Sequence, residues 1–400
     1  MRRLSRTLLP ALAALWGCTD RQEQLTEPAA SLVDGRPPWR YELTKVDATL
    51  GGTVAVGTAI NNRGWIAGYS TLADGTRHAV LLRHRLIDLR TLGGPNSAVQ
   101  WPGLNDTGLV VGISQTADVD PNDASWSCEA FIPATDRTCV GFVWENGVMT
   151  PLETLGGHNG FATMANNRGQ VVGWAETTVE DPTCHRPDVV LQFRAVLWEP
   201  RRGRMRELPP LPGDSTSAAT AINDRGHVVG ISGRCHVAVG DSSARASVLW
   251  RNGVPHEIPN LGGNTWNTPM DINNAGHVAG FSNLGDDESG APRLFAFLWT
   301  GGRRAENLGG IDADDNLSQA YGINARGQVV GRACGPVKGC RGFLYENGRM
   351  YDLNRLANVG RDTITLARHI NDAGEITGQL VDAQTGRTLI FVARPNGRGR

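Results

Sequence analysis

The stretch Ala59-Ile60-Asn61-Asn62-Arg63-Gly64-Trp65-Ile66-Ala67-Gly68 decides the fold, because its pattern returns six more times along the chain. Each copy reads apolar-Asn-x-x-Gly-x-apolar-x-Gly. A fixed pattern that recurs every several tens of residues is the mark of a repeat architecture. The seven copies are centred on Asn61, Asn105, Asn166, Asn223, Asn273, Asn324 and Asn371.

Each repeat contains four short apolar segments, which predict four antiparallel strands named a to d. In the fourth repeat these segments are residues 217–223, 227–232, 246–250 and 255–258, and Asn252-Gly253 is a strong hairpin turn between c and d. The spacing between successive pattern asparagines runs from 44 to 61 residues. Four strands in such a repeat predict a propeller blade. A β-solenoid would use much shorter repeats, and a sandwich would not repeat its own pattern seven times.

The two ends of the chain predict how the ring closes. After the seventh pattern, the sequence supplies strands b and c and ends soon after Asn396-Gly397, where strand d should begin. Residues 41–52 resemble a strand d that ends in Leu50-Gly51-Gly52, and no strands a to c precede them. We therefore predict an all-β fold over residues 39–400: a seven-bladed β-propeller of four-stranded antiparallel blades, the last blade closed by the N-terminal strand.

Three features of the repeat resemble a known family of bacterial extracellular repeats, the HAF repeats. They are the Leu-Gly-Gly, the Ile-Asn-x-x-Gly-x-Val-x-Gly and the apolar strand c ending in Trp. The resemblance covers residues ~41–397, and the His-Ala-Phe signature itself is degenerate, with His78-Ala79-Val80 and Phe295-Ala296-Phe297 coming nearest to it. It implies export and a repeat fold, and it brings no catalytic residues.

The first 38 residues read as a targeting segment followed by a tether. Three arginines precede an apolar run, and Leu15-Trp16-Gly17-Cys18 is similar to a bacterial lipobox, although Trp16 stands where a small residue is usual. We predict a signal peptide over residues 1–18 with lipidation at Cys18, and a flexible tether over 19–38. An ordinary secretory signal, with Cys18 incidental, is the alternative. Both predict export, and the lipobox predicts an outer-membrane-anchored lipoprotein facing the periplasm or the exterior.

Bulk charge argues against two classes of partner. Acidic and basic residues nearly cancel, and the formal net charge is −1. We therefore predict no nucleic-acid partner, and contact with a membrane only through the lipid anchor.

Six cysteines remain after Cys18, an even number that predicts disulfides in an exported protein. All six fall in predicted b–c loops. Two loops hold two cysteines each, and the b–c loops of two neighbouring blades hold one each. The simplest pairing is Cys128–Cys139, Cys334–Cys340 and Cys184–Cys235. Their spacing does not fit a zinc finger.

Loop lengths predict where a partner binds. The a–b turns are short and uniform, whereas the b–c loops vary widely (~116–139, 177–192, 232–245, 282–293 and 333–340). In a propeller these loops share one face, so this face is the predicted binding rim, unless the loops are merely tolerated insertions. Candidate ligand contacts at the channel mouth are Trp101, Trp266, Tyr321, Arg368 and His369, with burial between blades as the alternative.

One acidic loop has the spacing of a calcium site. Asp118, Asp120, Asn122 and Glu129 match positions 1, 3, 5 and 12 of a calcium-binding loop, but Asp123 replaces the turn glycine. Ca²⁺ is therefore a weak expectation against a solvated acidic loop. No other cofactor is predicted.

The sequence contains none of the metal-hydrolase, nucleophile-elbow or phosphate-loop motifs that would mark an enzyme. The favoured hypothesis is a monomeric, non-enzymatic extracytoplasmic propeller that binds a protein or a glycan through the b–c rim. The alternatives are an extracellular polysaccharide hydrolase or lyase, which acidic and His side chains converging on the channel mouth would favour, and a structural envelope spacer. The repeated asparagine reads as structural, since it occurs in every blade.

Overall fold

The computed structural model describes residues 40–124, 126–184, 189–235, 244–285 and 293–397, with the side chains of 126 and 127 left out. The predicted signal peptide, its lipidation site Cys18 and the tether lie outside the described residues. Within the described ranges, no helix has the length and hydropathy needed to cross a membrane.

Strands β2 to β13 form the first three blades, each an antiparallel sheet in the order a-b-c-d. Only a four-residue helix, α1 (Trp126–Glu129), and a 3₁₀ turn at Pro200–Arg202 interrupt this stretch within the described ranges. The strands are β2 (Gly51–Ile60), β3 (Ile66–Leu72), β4 (Arg77–Leu82) and β5 (Leu86–Arg90) in blade 1, β6 (Gly93–Ala98), β7 (Val110–Val119), β8 (Arg137–Glu145) and β9 (Val148–Pro151) in blade 2, and β10 (Gly156–Ala165), β11 (Val171–Glu180), β12 (Leu191–Glu199) and β13 (Arg204–Leu208) in blade 3.

The remaining blades follow the same plan, with one short helix, α2 (Leu353–Leu356), between blades 6 and 7. Their strands are β14 (Thr216–Ile222), β15 (Val228–Gly233), β16 (Ala246–Arg251) and β17 (Val254–Ile258) in blade 4, β18 (Gly262–Ile272), β19 (Val278–Leu284), β20 (Leu294–Trp299) and β21 (Glu306–Gly309) in blade 5, β22 (Leu317–Ile323), β23 (Val329–Gly335), β24 (Gly339–Glu346) and β25 (Arg349–Asp352) in blade 6, and β26 (Thr363–Ile370), β27 (Ile376–Val381) and β28 (Thr388–Pro395) in blade 7.

The N-terminal strand closes the ring, as predicted. Strand β1 (Tyr41–Val46) pairs antiparallel with β28, from Tyr41 opposite Pro395 to Val46 opposite Ile390, and so becomes strand d of blade 7. Lys45 on β1 forms ion pairs with Asp362 and Asp382 of the same blade. The predicted seven-bladed all-β fold is confirmed.

The repeated asparagine joins each blade to the next. Its Oδ1 accepts backbone N–H groups of its own a–b turn, as Asn223 does from Arg225 and His227. Its Nδ2 donates to the backbone oxygen of the corresponding asparagine in the following blade, at 2.9–3.1 Å, and Asn371 donates to Asn61. Seven such bonds form a closed asparagine ring around the channel.

The two glycines of the repeated pattern are required for different structural reasons. The turn glycines, such as Gly64 (φ 72°) and Gly226 (φ 80°), take the left-handed conformation that an L side chain disfavours. The strand b glycines, such as Gly173 and Gly230, lie where an added Cβ would overlap a carbonyl oxygen of strand a. This close approach requires glycine at that position of each blade.

Four of the five Leu-Gly-Gly segments begin strand a, and our assignment of these four to the end of strand d was wrong, whereas Leu308-Gly309 ends strand d of blade 5 as predicted. Gly51, Gly93 and Gly156 are the first residues of β2, β6 and β10. Their φ angles lie between 101° and 111°. This positive φ, which glycine alone adopts readily, bends the chain directly into the next blade.

Two surfaces result from this topology. The a–b and c–d turns form one, which we call the a–b face. The b–c loops and the d–a connections form the other, which we call the b–c face. The a–b turn of blade 2, residues 105–109, has the same backbone bonds as the other short a–b turns. The strand before it is irregular, because Pro102 cannot donate to the ladder and pairing resumes only at Leu104 and Val110.

Candidate functional site

A β-bulge in the innermost strand determines which side chains enter the channel. In six blades the pairing of strands a and b shifts register three residues before the ring asparagine. A bulged residue is left out of the ladder and its side chain is redirected. The bulged residues are Thr58, Thr163, Thr220, Met270, Tyr321 and Arg368.

The threonines and the other three residues at this position have different roles. The Oγ1 of Thr163 and that of Thr220 donate to carbonyl oxygens of their own blade and of the next blade, and thereby tie strands together. Met270, Tyr321 and Arg368 carry long side chains instead, and they belong to consecutive blades 5, 6 and 7. One side of the channel is therefore filled by large side chains.

Four of the five predicted mouth residues come together there. Trp101, from the irregular connection of blade 2, and Trp266, from β18, both pack on the buried cluster that contains Met270, Phe281 and Tyr321. The Arg368 guanidinium lies over the Tyr321 ring, 4.8 Å from its centroid. We call Trp101, Trp266, Tyr321 and Arg368 the aromatic cluster.

The aromatic cluster continues into the b–c loops. Trp101 makes edge-on contacts with Phe131, at 5.3 Å between ring centroids, and with Phe161, at 5.4 Å. Phe131 follows α1 in the longest b–c loop, and Phe161 lies on β10. The channel contents and the rim are thus one packed unit on the b–c face.

Three donors in the aromatic cluster have no hydrogen-bond partner in the described part of the chain. They are the indole Nε1 of Trp101, the indole Nε1 of Trp266 and the Nε of Arg368, and each atom is shielded from solvent. A buried donor without an acceptor costs about 1–3 kcal/mol. Unpartnered buried donors are rare in native proteins, and one explanation for them is that they bind a ligand.

The fifth predicted residue, His369, lies apart at the other end of the channel. It lines a cavity of about 130 Å³ on the a–b face, together with Asp271 and Met164. All three side chains sit two residues before the ring asparagine. Each contacts the backbone N–H of the following blade: His369 that of Ile60, Asp271 that of Ile323 and Met164 that of Ile222.

Asp271 is the most enclosed acid of this cavity. Burial raises the pKa of its carboxyl group above the usual range, and the neighbouring His369 opposes this shift. The His369 Nε2 lies 3.7 Å from the carboxylate. The sequence analysis missed Asp271, although most blades carry Ala or Gly at its position, and that departure from the repeat was the available signal.

The mouth of this cavity carries a second ring, made of alternating amides and acids. The backbone N–H of each member donates to the side chain of the next, for example Asn62 to Asp106 and Asp106 to Asn167, both at 2.8 Å. Ala325 interrupts the ring because it has no acceptor. The other members are Asn62, Asp106, Asn167, Asp224, Asn274 and Asp372.

The six cysteines form the three predicted disulfides. Cys128–Cys139 and Cys334–Cys340 each link residues of one blade, and Cys184–Cys235 links the b–c loops of blades 3 and 4. Cys128–Cys139 and Cys184–Cys235 are buried with Phe131, Phe161 and Trp174 in a single apolar cluster. The loops of blades 2 to 4 therefore fold over the sheets with a core of their own, and disulfides indicate an oxidising, extracytoplasmic compartment.

A buried acidic pair stands beneath these loops. Glu176 on β11 accepts from the backbone N–H groups of His158 and Asn159, and the Asn159 Nδ2 donates at 2.7 Å to Asp120. Burial is the main cause that raises the pKa of Glu176 to about 7, and the charge of Asp120 adds to it.

The four calcium candidates have separate roles. Asp120 is buried and accepts from Asn159 and from the backbone N–H of Asn122, whereas Asp118 and Glu129 are exposed. Among the described residues, Asp181, Cys184 and Cys235 are the one group of His, Cys, Asp and Glu whose ligand atoms lie within 4.8 Å of one another, and two of these are disulfide-bonded. Asp118, Asp120 and Glu129 do not form such a group.

Charge differs strongly between the two faces. The a–b face carries fifteen exposed arginines at or beside its turns, against nine carboxylates. The arginines are Arg40, Arg63, Arg83, Arg85, Arg168, Arg201, Arg202, Arg204, Arg225, Arg251, Arg303, Arg304, Arg326, Arg349 and Arg394, and the carboxylates are Glu42, Asp106, Glu145, Glu199, Asp224, Glu306, Glu346, Asp372 and Glu375.

Comparison with known proteins supports the fold and does not indicate a function. No family model matches the sequence, and no curated protein matches it. The β-propeller domain of the Trilobed protease from Pyrococcus furiosus is similar in structure, with a TM-score of 0.50 and 11% identity over 90% of this chain and 96% of that one. An oligogalacturonate lyase in complex with manganese gives 0.44 and 11% over 90% and 97%, and an Aleuria aurantia lectin gives 0.31 and 9% over 90% and 98%. The first likeness shows a propeller, and the other two are too distant to add an argument.

Proposed function

We propose that the protein is a non-enzymatic, exported propeller that binds a glycan on its b–c face, at the aromatic cluster. The unpartnered donors of Trp101, Trp266 and Arg368 carry the proposal. A glycan offers many hydroxyl and ring oxygens as acceptors, and its sugar rings have apolar faces that pack on aromatic side chains. Both Trp side chains are partly exposed, so part of each indole is accessible to a ligand.

The surrounding structure supports a binding role for this face. The loops of blades 2 to 4 share a buried core and two disulfides, so they present a preformed surface. Preformed surfaces bind with a smaller loss of conformational entropy. A protein partner is the second class of ligand for the same surface.

The proposal includes the cellular address. The disulfides place the chain outside the cytoplasm, and we propose that Cys18 carries a lipid that anchors it to the outer membrane. No cofactor is needed for binding, so EDTA should leave the affinity unchanged.

The decisive experiment is a glycan screen with the intact protein, followed by titration of any hit by calorimetry. Trp101→Ala and Trp266→Ala should each weaken binding tenfold or more, because a lost aromatic contact costs about 1–2 kcal/mol. Trp65→Ala is the matched control, since Trp65 lies in an a–b turn between Arg63 and Arg83. Glycan binding that survives both cluster substitutions, or no binding to any glycan, would refute the proposal.

A hydrolase or lyase is the second candidate, and one observation favours it. Acidic and His side chains do converge on one channel end, where Asp271 and His369 lie in the cavity on the a–b face. Against it, both Asp271 oxygens accept backbone N–H groups, from Ile272 and Ile323, which gives this carboxylate a structural role. If the protein cleaves a polysaccharide, and Asp271→Asn abolishes this cleavage without changing the melting temperature, the enzyme becomes the preferred function.

A further inference from the structure

The arginines of the a–b face form a basic surface that the balanced composition conceals. Four of them, Arg63, Arg168, Arg225 and Arg326, stand two residues after a ring asparagine and surround the channel. The others lie at the c–d turns of six blades, farther from the axis. A chain with a net charge of −1 thus carries fifteen arginines against nine carboxylates on one face.

Most of this positive charge is directed to solvent. Ion pairs on this face join Arg40 to Glu346, Arg201 to Glu145, Arg202 to Glu199 and Arg394 to Glu375. The other eleven arginines have no carboxylate within 4.0 Å in the described part of the chain.

The carboxylates at the centre of this face are engaged with their own ring. Asp106 accepts from Asn62 and Asn167, and Asp224 accepts from Asn167 and Asn274. These hydrogen bonds engage the acids within their own ring, while the arginines around them are exposed and most of them have no carboxylate partner among the described residues. An approaching anionic surface can therefore pair with the guanidinium groups.

The chain enters the propeller from this same face. Arg40 precedes β1, whose first residue Tyr41 pairs with Pro395 at the end of β28, next to the a–b face. Thirty-nine residues precede Arg40. The 22 residues from Cys18 to Arg40 can span at most about 75 Å. A lipid at Cys18, as proposed above, would therefore limit the distance between Arg40 and the membrane.

We propose that the arginines of the a–b face bind the anionic surface of a phospholipid bilayer. Guanidinium groups bind phosphate oxygens through paired N–H donors, and arginines near an anionic bilayer each add to the attraction. Contact through this face directs the b–c face away from the bilayer. A bilayer is favoured over nucleic acid because the disulfides indicate an extracytoplasmic compartment and because the chain enters the propeller at this face, at Tyr41. The inference does not depend on what the b–c face binds.

The test is co-sedimentation of the full chain carrying Cys18→Ala, which cannot be lipidated, with two kinds of vesicle. One is pure phosphatidylcholine, and the other contains about one third phosphatidylglycerol. Binding to the anionic vesicles should exceed binding to the neutral ones at least tenfold, and it should fall steeply as salt rises. The neutral vesicles also report any binding by the apolar segment near the N-terminus.

Matched triple variants locate the surface. R168Q/R225Q/R326Q on the a–b face should weaken anionic-vesicle binding at least tenfold. R90Q/R234Q/R361Q removes the same charge from the b–c face and should change it less than twofold. Melting temperatures check that both variants are folded, and four- or five-site variants of the outer arginines should deepen the loss.

Three outcomes would overturn the inference. They are equal binding to both kinds of vesicle, equal losses in the two triple variants, and binding to a soluble polyanion such as a DNA duplex that outcompetes the vesicles at equal charge concentration. Binding to anionic vesicles with loss in the a–b variant alone supports it.

Discussion

The two ends of the channel are built from the same repeat and differ in what the repeat leaves variable. At the a–b end, seven asparagines in equivalent positions make equivalent hydrogen bonds, and a ring of amides and acids covers them. At the b–c end, the bulged position holds Thr in three blades and Met270, Tyr321 and Arg368 in three others. What is repeated here holds the ring together, and what departs from the repeat creates a candidate site.

The largest expected effect comes from deleting strand β1, which tests whether the asparagine ring at the a–b end keeps the propeller closed without it. Deletion of residues 40–46 removes the six pairs with β28 and the Lys45 ion pairs. We expect a loss of more than about 5 kcal/mol in the free energy of unfolding, or no folded protein, because β28 becomes an open edge. Thermal unfolding followed by circular dichroism measures it. An unchanged melting temperature would mean that the asparagine ring suffices to close the propeller.

Removing disulfides tests whether the b–c end is held by its loops. Cys184→Ala with Cys235→Ala opens a link with a sequence separation of 51 residues, and Cys334→Ala with Cys340→Ala one of 6. Chain entropy predicts losses of about 4 and about 2 kcal/mol. Urea denaturation of the two double variants gives both values. Equal losses would contradict the view that the link between blades 3 and 4 stabilises the rim more.

Glu176 tests whether the b–c end responds to pH. Its folded pKa of about 7 lies above the 4.5 of a free glutamate, so the folded state holds its proton more tightly. The stability that this proton contributes is complete below pH 4.5 and is lost as the pH rises to about 7. Glu176→Gln should therefore gain up to about 3 kcal/mol relative to the wild type between pH 4 and pH 8. Glu153→Gln, at an exposed site, is the control and should show no such trend.

The smallest expected effect is the difference in stability loss between substitutions in the two rings of the a–b end. Asn223→Ala removes two part-buried turn bonds and one buried bond to the next blade, and should cost about 2 kcal/mol. Asn274→Ala affects the exposed ring, where blade 6 already has Ala325, and should cost less than about 1 kcal/mol. Chemical denaturation distinguishes them. A larger loss at Asn274 would make the outer ring the structural one.

The sequence alone predicts the blade count and the closure, because both follow from counting a repeat and from matching its two incomplete ends. It also predicts the disulfide pairs, since neighbouring blades bring Cys184 and Cys235 together. The contents of the channel are harder to predict. A bulge reverses which residues of a strand face inward, so Arg368 and His369, adjacent in sequence, belong to opposite ends of the channel.

Two further features were not predictable for different reasons. Leu-Gly-Gly looks like the end of one strand, but in four copies its first glycine, with a φ between 101° and 111°, is the start of the next. The bulk charge near zero hides a basic face, because composition does not report where residues lie.

The asparagine ring has no first or last member, since the hydrogen bond from Asn371 to Asn61 is equivalent to the other six. The backbone N–H of Asn396 donates to the Arg40 oxygen at 2.8 Å, so the two ends of the propeller already touch. A circular permutant, joined there and reopened at any c–d turn, would keep every inter-blade bond. The folded ring therefore does not depend on which turn holds its two termini.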